Sequence, residues 1–468
     1  MNRRNFITTT GTAAAGTLLT SSASAMNRNS MFSAKKRIAL VGTGIRGITF
    51  WGKNLVDEYG DLIEFVGLCD INPGRVEFGK KFIGVNCPVF VDFNKMMQTV
   101  KPDMLIVCTV DATHHEFIIK GLEMGVDVIT EKPLTTDEYK CQRILDAERK
   151  SGKKLIVGFN YRYNPHYTKL RELIAEERVG KITSVDFNWY LNTYHGASYY
   201  RRWHGERNMG GTLLVHKSTH HFDLLNWWLN SDPVEVTAYG MLDHYGSNNN
   251  FRGVKCRECP HTDKCEFYYD ITKDKTSMDL YVAYEKHDGY IRDNCVWRHD
   301  IDIYDKMAVQ IKYANDVVVN YSLTTYSPYE GMRIAFNGFN GRLDAWDGIP
   351  WRKEEKLSQA ELHAKEMSQD EKEGAANYEE IMIGDNFKGT QLLKVPRPKG
   401  GHGGGDKRLQ DKIFRNPDMA DPLKHSAGSR DGAMSILVGI AARKSIELNR
   451  PVRIEELTDI KPHPTRGA

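Results

Sequence analysis

A glycine turn between an apolar strand and a helix is the feature that most constrains how this chain folds. Residues 38–41 form a short apolar run, Gly42, Gly44 and Gly47 follow in the spacing Gly-x-Gly-x-x-Gly, and a helix-compatible stretch continues to about Tyr59. The first glycine permits a tight turn, the second a close approach of the backbone to a ligand, and the third close packing of helix on strand. The unpaired N–H groups at the start of the helix attract phosphate. The pattern therefore predicts a site for the pyrophosphate of a dinucleotide.

An acidic residue further along the chain narrows the choice of cofactor. A second apolar run, residues 62–69, ends in Asp70, where a carboxylate binds the adenosine ribose hydroxyls. Because that carboxylate would repel the 2′-phosphate of NADP, the sequence predicts NAD. The residues expected to bind this cofactor are Gly42, Thr43, Gly44, Ile45, Arg46, Gly47, Asp70, Thr109, His114, Glu131 and Lys132.

Strand and helix patterns keep alternating beyond this point. Residues 88–93, 104–109 and 126–130 have the pattern of strands, and helix-compatible segments separate them. This alternation is typical of a doubly wound α/β sheet with parallel strands. We therefore predict an N-terminal Rossmann domain over residues 36–160. Ligands bind at the carboxyl ends of the strands in such sheets, and Lys132 follows one of those ends.

Composition disfavours two other classes of protein. The 468 residues suggest two or three domains at a prior of ~150 residues each. Lys and Arg total 64 against 61 Asp and Glu, and the formal net charge of +3 is too even for a protein that binds nucleic acid by neutralising phosphates. No stretch approaches the ~20 apolar residues that a membrane-spanning helix requires. We therefore expect neither a nucleic acid partner nor a membrane span.

Residues 1–25 have the order of a signal peptide. Arg3-Arg4 is followed by a weakly hydrophobic stretch rich in Thr, Ala and Gly, and then by Ala23-Ser24-Ala25. This order resembles a twin-arginine (Tat) signal cleaved after Ala25, and it predicts export of the folded protein to the periplasm. Capture of a tightly bound NAD during cytoplasmic folding would explain that route. The alternative is a basic terminus without a targeting role.

Four further segments follow the glycine turn and Asp70 in a specific order. They are Glu131-Lys132-Pro133, residues 158–163 (Gly-Phe-Asn-Tyr-Arg-Tyr), Gly210-Gly211, and residues 216–223 (His-Lys-Ser-Thr-His-His-Phe-Asp). The series resembles the Gfo/Idh/MocA family of NAD(P)-dependent sugar oxidoreductases. The resemblance implies a second, C-terminal α+β domain over residues 161–457, with an open, mainly antiparallel sheet and the active site between that sheet and the nicotinamide. It also implies a carbohydrate substrate and a homo-oligomer.

The resemblance assigns roles to particular residues. Oxidising a secondary alcohol with NAD requires a base for the hydroxyl proton and a donor that polarises the oxygen. His220 matches the family's usual acid/base, and Lys132 would orient the reacting hydroxyl. The predicted catalytic residues are Lys132, His216, Lys217 and His220. The predicted substrate-binding residues are Tyr163, Asn164, His204, His216, His220, Asp223 and His402. Tyr163 is explained equally well as a packed aromatic residue. His204 is explained equally well as a surface loop residue.

One departure from the family pattern leaves the reaction open. His216 stands where the familiar dehydrogenases of the family have Asp, four residues before the acid/base. A His at this position is similar to the family's NAD-dependent glycosidases. We predict hydride transfer from a ring carbon of a sugar or glycoside, with a 3-keto intermediate or product. The alternatives are a glycosidase that recycles its NAD within each turnover, and a non-catalytic protein that binds NAD and sugar.

A polar insertion over residues 242–298 contains half of the cysteines in the chain. Cys256, Cys259, Cys265 and Cys295 lie within it, and the Cys-x-x-Cys spacing is typical of a structural zinc or iron–sulfur site. Disulfides are the competing explanation in an oxidising compartment, and free thiols are the third. A metal or disulfides would staple a loop too polar to build its own core.

A second insertion is expected over residues 351–409. Its charged, helix-like part spans residues 354–380, and a glycine-rich part spans residues 398–405. Glycines allow close backbone approach and loop movement. We expect this loop either to cover a ligand, through His402 or Asp406, or to be an ordinary surface loop.

Overall fold

The computed structural model describes residues 34–348, 378–398 and 401–466. The predicted signal peptide and most of the charged part of the second insertion lie outside these described residues. Within the described ranges, no helix is both long and apolar enough to cross a membrane.

Six parallel strands form the first sheet, in the order β3-β2-β1-β4-β5-β6. The strands are β1 (Lys36–Val41), β2 (Ile63–Cys69), β3 (Val89–Phe90), β4 (Met104–Val107), β5 (Asp127–Thr130) and β6 (Leu155–Val157). Every residue of β4 is buried, because helices cover both faces of a parallel sheet. The strand order reverses between β1 and β4, which is where such sheets bind ligands. The predicted Rossmann sheet is confirmed.

Helices alternate with these strands as the sequence pattern predicts. They span Ile45–Ile48 and Asn54–Tyr59, with a π-helical turn over Thr49–Lys53 between them, and then Pro73–Ile83, Phe93–Val100, His114–Glu123 and Glu138–Ser151. The first of them begins directly after the glycine turn. Its N-terminus therefore lies at the carboxyl end of β1, next to the point where the strand order reverses.

Nine strands form the second sheet, in the order β14-β13-β12-β11-β7-β10-β9-β8-β15. They are β7 (Ile182–Asn192), β8 (Pro233–Met241), β9 (Lys306–Tyr313), β10 (Val318–Ser327), β11 (Gly331–Gly338), β12 (Gly341–Asp347), β13 (Tyr378–Asp385), β14 (Gly389–Pro396) and β15 (Val452–Arg453). Only β7 and β10 pair in parallel among these strands. Exposed and buried residues alternate strictly along β9, so one face of the sheet packs on helices and the other is open. The predicted open, mainly antiparallel sheet is confirmed.

A long helix near the C-terminus joins the two sheets. The helices of this part of the chain span Pro165–Ala175, Thr193–Arg201, Arg207–Gly210, Leu213–His216, Ser218–Leu229, Lys275–Leu280, Glu285–Asp288, Gly405–Gln410 and Ser429–Leu448. Ser429–Leu448 packs on β6 of the first sheet and on β8 of the second. A Cβ atom at Gly439 would lie 2.2 Å from the carbonyl oxygen of Leu214. This close approach fixes the short helix that ends in His216.

The two predicted insertions differ in structure. The first follows β8 and forms short helices and turns. The second contributes β13 and β14 to the edge of the sheet, where Ile381 and Ile383 are buried. The expectation of a helix-like part over residues 354–380 is wrong for its described residues, 378–380, which begin β13, because that segment pairs with β12.

Candidate active site

The glycine turn has the geometry that a dinucleotide requires. Gly42 has φ +92°, and a Cβ atom there would lie 2.5 Å from the carbonyl carbon and oxygen of Cys108. A Cβ atom on Gly47 would lie 2.1 Å from the carbonyl oxygen of Gly42. Both positions therefore exclude any side chain, and Gly44 is the extended residue from which the first helix starts. The residues present fit an NAD pyrophosphate.

Asp70 lies beside this turn, at the carboxyl end of β2. Its Oδ2 accepts hydrogen bonds from the backbone N–H of Thr43 at 2.8 Å and from the Thr43 hydroxyl at 3.1 Å. The guanidinium of Arg75 lies 3.0 Å from Oδ1. Asn72 caps the following helix, where its side chain accepts from the N–H of Gly74 and of Arg75. The carboxylate is thus fixed where an adenosine ribose would lie.

The first insertion reaches over the same turn, which the sequence does not reveal. The hydroxyl of Tyr281 accepts a hydrogen bond from the N–H of Ile45 at 2.9 Å. Asp288 pairs with Arg75 at 2.5 Å. The ring of Tyr284 packs so closely on Gly74 that a Cβ atom there would lie 2.0 Å from it. The insertion therefore contacts the positions expected for both the pyrophosphate and the ribose.

Lys132 follows β5 and points toward the second domain. Its Nζ donates to the carbonyl oxygen of His216 at 3.3 Å. Burial lowers the pKa of Lys132 to about 8, against the attraction of Asp111 and Glu131. Glu131 accepts from Arg46 Nε at 2.6 Å, so it anchors the glycine turn to the loop that carries Lys132. The lowered pKa places the titration of this amine near neutral pH.

Two residues predicted to bind the cofactor support this loop from behind. The ring nitrogens of His114 lie 2.8 Å from the carbonyl oxygen of Pro133 and 3.1 Å from that of Thr109. The Thr109 hydroxyl accepts from the hydroxyl of Thr113 at 2.9 Å. These contacts connect the ends of β4 and β5, so His114 stabilises the two loops that follow these strands.

His216 has a carboxylate partner that the sequence pattern misses. Its Nδ1 lies 2.5 Å from Oδ2 of Asp111, which follows β4 and is buried. Burial, and then the charge of Lys132, hold the pKa of His216 well below its usual range, whereas burial raises the pKa of Asp111 well above its own. Both directions favour a neutral pair with one proton between the two atoms. Asp111 thus brings a carboxyl group next to His216, the position at which this chain lacks the Asp of the family pattern.

His220 lies one helical turn further along the chain. Its ring stacks on that of Tyr161, with centroids 4.0 Å apart and an interplanar angle of 11°. Among the described residues its buried Nδ1 has no hydrogen-bond partner. Burial, and then the charges of Lys132 and Lys217, hold the pKa of His220 well below its usual range. A neutral imidazole is the form that can accept a proton from an alcohol.

Aromatic side chains surround these bases. The Nζ of Lys217 donates to the hydroxyl of Tyr161 at 3.2 Å and lies 5.0 Å from the ring centre of Trp189. The ring of His204 lies 4.2 Å from that of His216. His204 is buried, so its explanation as a surface loop residue is wrong. Tyr161 and Trp189 belong to this site although neither was predicted as a site residue. For Tyr161 the sequence signal was its place in the segment 158–163, and for Trp189 it was its aromatic side chain alone.

The glycine-rich loop also meets the site. The Nδ1 of His402 lies 3.0 Å from Asp406, whose carboxylate also accepts from Arg46 at 3.3 Å and from Asn160 at 2.6 Å. The ring of His402 lies 5.8 Å from that of Tyr161. Asn164 donates to the carbonyl oxygen of His402 at 3.4 Å. The loop is therefore tied to the glycine turn through Asp406 and Arg46.

Two predicted substrate-binding residues lie apart from this cluster. Asp223 is 1% exposed, and both of its carboxylate oxygens accept from Arg162, at 2.5 and 2.8 Å. Tyr163 packs its ring 5.3 Å from that of His425, which supports its explanation as a packed aromatic. The structure thus gives Asp223 a buried ion pair with Arg162.

The metal site predicted for the first insertion is not seen in the part of the chain that the structure describes. Within residues 34–348, 378–398 and 401–466 no group of three or more His, Cys, Asp or Glu side chains is placed to hold a metal ion, and none of the cysteines forms a disulfide. Cys256, Cys259, Cys265 and Cys295 instead line a small cavity with aromatic residues. Cys256 accepts from Arg201 at 3.4 Å. The thiols pack against aromatic rings inside the insertion. These rings give the insertion a core that the sequence analysis did not predict.

Comparison with known proteins identifies the family. The family description "Oxidoreductase family, NAD-binding Rossmann fold" matches residues 36–159, and "Oxidoreductase family, C-terminal alpha/beta domain" matches residues 171–454. The chain belongs to the Gfo/Idh/MocA oxidoreductase family. The chain is similar to "Putative oxidoreductase YteT" of Bacillus subtilis (strain 168), with 35% identity over 450 residues, or 90% of this chain and 98% of the relative.

Other relatives are more distant. The inositol 2-dehydrogenase/D-chiro-inositol 3-dehydrogenase of Lactiplantibacillus plantarum is 23% identical over 200 residues, which are 42% of this chain and 54% of the relative. The match therefore spans about half of that relative. The aldose-aldose oxidoreductase from Caulobacter crescentus has a TM-score of 0.58 at 14% identity, over 90% of this chain and 99% of that one. An oxidoreductase domain protein from Kribbella flavida has a TM-score of 0.62 at 15% identity, with the same coverage. These two structures share the fold.

Proposed function

We propose that the protein oxidises a ring secondary alcohol of a sugar or glycoside and forms a 3-keto product or intermediate. The observation that carries this proposal is the meeting of Lys132, His216 and His220 at the carboxyl edge of the Rossmann sheet. Bound NAD would accept hydride from the carbon that bears the hydroxyl. The name of the inositol dehydrogenase relative supports a polyhydroxylated ring as substrate.

The surrounding residues supply a proton acceptor and a cation. His220, neutral and stacked on Tyr161, accepts the hydroxyl proton. Lys132 in its protonated form orients the hydroxyl and stabilises the negative charge that develops on its oxygen. Asp111 holds the imidazole of His216 at 2.5 Å and so fixes a second ring beside the reacting alcohol.

The second candidate is a glycoside hydrolase that recycles its NAD. His216 in place of the family's Asp favours it, because the substitution is similar to that in the family's glycosidases. Oxidation at C3 would acidify the C2 proton, so that the aglycone is eliminated from C1. Water would then add at C1, and return of the hydride from NAD would restore the C3 alcohol. Both candidates share the first oxidation step.

One preparation separates the two candidates. The protein is purified without added cofactor, bound dinucleotide is released from one portion, and the other is incubated with p-nitrophenyl glycosides in the absence of an external oxidant. NADH in a 1:1 ratio to protein with a keto product supports the oxidoreductase, whereas aglycone released over many turnovers supports the hydrolase. His220→Gln is expected to remove either activity, and His287→Gln, in the first insertion, serves as the control. Protein that binds NAD and sugar but gives neither product would support a non-catalytic role.

We also propose that residues 1–25 direct export through the Tat pathway with NAD already bound. Contacts of the first insertion beside Asp70, where Asp288 pairs with Arg75 and Tyr284 packs on Gly74, support a firmly held cofactor. Replacing Arg3-Arg4 with Lys-Lys is expected to keep the protein in the cytoplasmic fraction. Periplasmic recovery of that variant, or of wild-type protein without dinucleotide, would contradict the proposal.

The open face of the nine-stranded sheet supports a homo-oligomer. Polar side chains on this face surround a surface depression, among them Asp186, Asn188, Asn320 and Arg342. A second copy of the sheet would bury them against each other. Light scattering on the purified protein measures the oligomeric state, and a mass of one chain would contradict this proposal.

A further inference from the structure

Three side chains form a hydrogen-bonded chain at the edge of the reaction cluster, and the oxidation proposed above does not use them. His195 and Tyr199 lie four residues apart in the helix Thr193–Arg201, so their side chains share one face of it. Nε2 of His195 lies 3.1 Å from the Tyr199 hydroxyl, and Nδ1 lies 3.1 Å from Oε1 of Glu330. The order carboxylate, imidazole, hydroxyl is that of a proton relay.

The backbone around this relay is closely packed. A Cβ atom at Gly196 would lie 1.7 Å from the carbonyl oxygen of Thr325, so the helix rests directly on β10. The side chain of Asn192 caps the helix and accepts from the N–H of His195 at 2.8 Å. Glu330 lies between β10 and β11, and its Oε2 accepts from the N–H of Asn192 at 2.9 Å. The imidazole and the carboxylate are therefore held in place by the same residue.

The hydrogen bonds set the direction in which a proton can move. Burial, and then the charge of Lys217, hold the pKa of His195 well below its usual range, so the imidazole is neutral. A carboxylate only accepts, so the proton of this imidazole is on Nδ1, facing Glu330. Nε2 then accepts from the Tyr199 hydroxyl, and the lone pairs of that oxygen can accept a proton from a ligand. If the Tyr199 proton passes to His195, the imidazolium lies against a carboxylate that stabilises it.

Tyr199 belongs to the same cluster as the bases described above. It is buried, and its ring lies 5.5 Å from that of His216 and 5.4 Å from that of His204. Its relay reaches the cluster from the nine-stranded sheet, whereas Asp111 reaches His216 from the end of β4 in the Rossmann sheet. Two carboxyl groups, one from each sheet, therefore support two separate proton acceptors.

We propose that Tyr199 accepts the proton from the ring carbon next to the newly formed ketone, with His195 and Glu330 as positioning residues. The assignment rests on the proposed function, because oxidation at C3 is what acidifies the C2 proton. The C2–H bond breaks, and its electron pair forms the enolate of the ketone. The proton moves to the Tyr199 oxygen as the Tyr199 proton moves to Nε2 of His195. Oxidation alone needs one proton acceptor, His220, so a second relay with its own carboxylate favours a reaction that continues past the ketone.

Proton exchange at C2 tests this assignment without hydride transfer. The NAD-loaded protein is incubated in D2O with the methyl 3-keto-α- and 3-keto-β-glycosides of D-glucose and D-galactose, and proton NMR follows the C2 signal. With NAD rather than NADH bound, the ketone is not reduced. The variants are Tyr199→Phe, His195→Gln and Glu330→Gln, and the parent methyl glycosides give the rate of NADH formation for each. Tyr200→Phe is the control, because Tyr200 belongs to the same helix and its hydroxyl donates to the carbonyl oxygen of Tyr304 at 2.9 Å.

The relay predicts a selective loss of exchange. In Tyr199→Phe and His195→Gln, exchange is expected to be slower than in the wild type by about 10²-fold or more, while NADH formation stays within about threefold. Glu330→Gln keeps an acceptor for Nδ1 but loses the charge, so its exchange rate is expected to lie between those of the wild type and of His195→Gln. Tyr200→Phe is expected to exchange at the wild-type rate.

Three results would overturn the assignment. They are a wild-type exchange rate in Tyr199→Phe, no exchange by the wild type with any of the probes, and an equal loss of exchange and NADH formation in Tyr199→Phe. The last result would mean that the hydroxyl serves the alcohol proton or the structure of the site. Thermal unfolding at the wild-type temperature is required of each variant, and Glu330→Gln, which has the shape of the native residue, replaces any variant that fails it.

The proposed oxidation fails in a different way. A wild-type protein that exchanges the C2 proton of a keto glycoside but forms no NADH from any parent glycoside would contradict the oxidation and leave the relay supported. A wild-type protein that forms NADH but exchanges no C2 proton would support the oxidation and overturn the relay.

Discussion

Replacing Lys132 with Met is expected to stabilise the folded protein at pH 7 while it removes activity. Burial lowers the pKa of Lys132 from 10.5 to about 8, although Asp111 and Glu131 attract the charge. One pKa unit corresponds to about 1.4 kcal/mol, so the shift corresponds to about 3 kcal/mol of destabilisation by the charged amine. Part of that side chain remains in contact with solvent, which reduces the cost. We therefore expect the free energy of unfolding of Lys132→Met to exceed that of the wild type by about 1–3 kcal/mol.

The same shift determines how this gain depends on pH. Below pH 8 the amine is protonated in the folded and the unfolded chain, so its cost is constant. As the pH rises from 8 to 10.5, the folded wild type releases a proton that the unfolded chain still holds, and its stability rises. The gain from Lys132→Met is therefore expected to shrink over this window and to vanish above it.

Urea unfolding followed by far-ultraviolet circular dichroism at pH 7 and pH 10 measures the difference. Lys275→Met is the control, because Lys275 is 88% exposed at its side chain and its ion pair contributes little. The reasoning is refuted if Lys132→Met is less stable than the wild type at pH 7, or if its gain is the same at both pH values. In the same preparations, NADH formation by Lys132→Met is expected to be slower than that of the wild type by about 10²-fold or more.

Three other substitutions test separate parts of the site. Asp111→Asn removes the carboxylate that holds His216, and single-turnover absorbance is expected to show hydride transfer slowed by about 10²-fold, whereas a wild-type rate would contradict a role for this pair. Tyr281→Phe removes a hydroxyl that competes with NAD for the backbone N–H of Ile45, so calorimetric titration is expected to show NAD binding tightened by about fivefold, or about 1 kcal/mol. Weaker binding would mean that the hydroxyl itself contacts the cofactor. Asp223→Asn removes one of the two carboxylates that pair with buried Arg162, the other being Asp431, and is expected to lower the free energy of unfolding by about 1.5–3 kcal/mol. A change in substrate affinity at unchanged stability would restore the predicted binding role of Asp223.

Local sequence patterns predicted those parts of the fold that depend on neighbouring residues. The glycine turn, Asp70 and the alternation of strands and helices lie within short segments, so their geometry follows from spacing. Lys132 and His220 were found because each belongs to a segment with a recognisable order of residue types. The structure brings their side chains to one cluster, as expected.

Contacts between distant segments could not be predicted in this way. Asp111 and His216 are 105 residues apart, and nothing near either residue indicates the other. Tyr281 reaches Ile45 over 236 residues from a segment that the sequence marks only by its polarity and cysteines. The spacing of the four thiols of that segment can be read from the sequence, and it suggested a metal site. The aromatic packing around them cannot be read from the sequence.

The position of the first insertion over the glycine turn and Arg75 has a kinetic consequence. A dinucleotide bound at the turn would lie under the insertion, so its departure would require the insertion to open. Such local opening has its own free energy, separate from that of global unfolding. The rate of cofactor exchange is therefore expected to follow the opening of this segment, seen as hydrogen exchange of its amides, and to rise at urea concentrations well below those that unfold the two sheets.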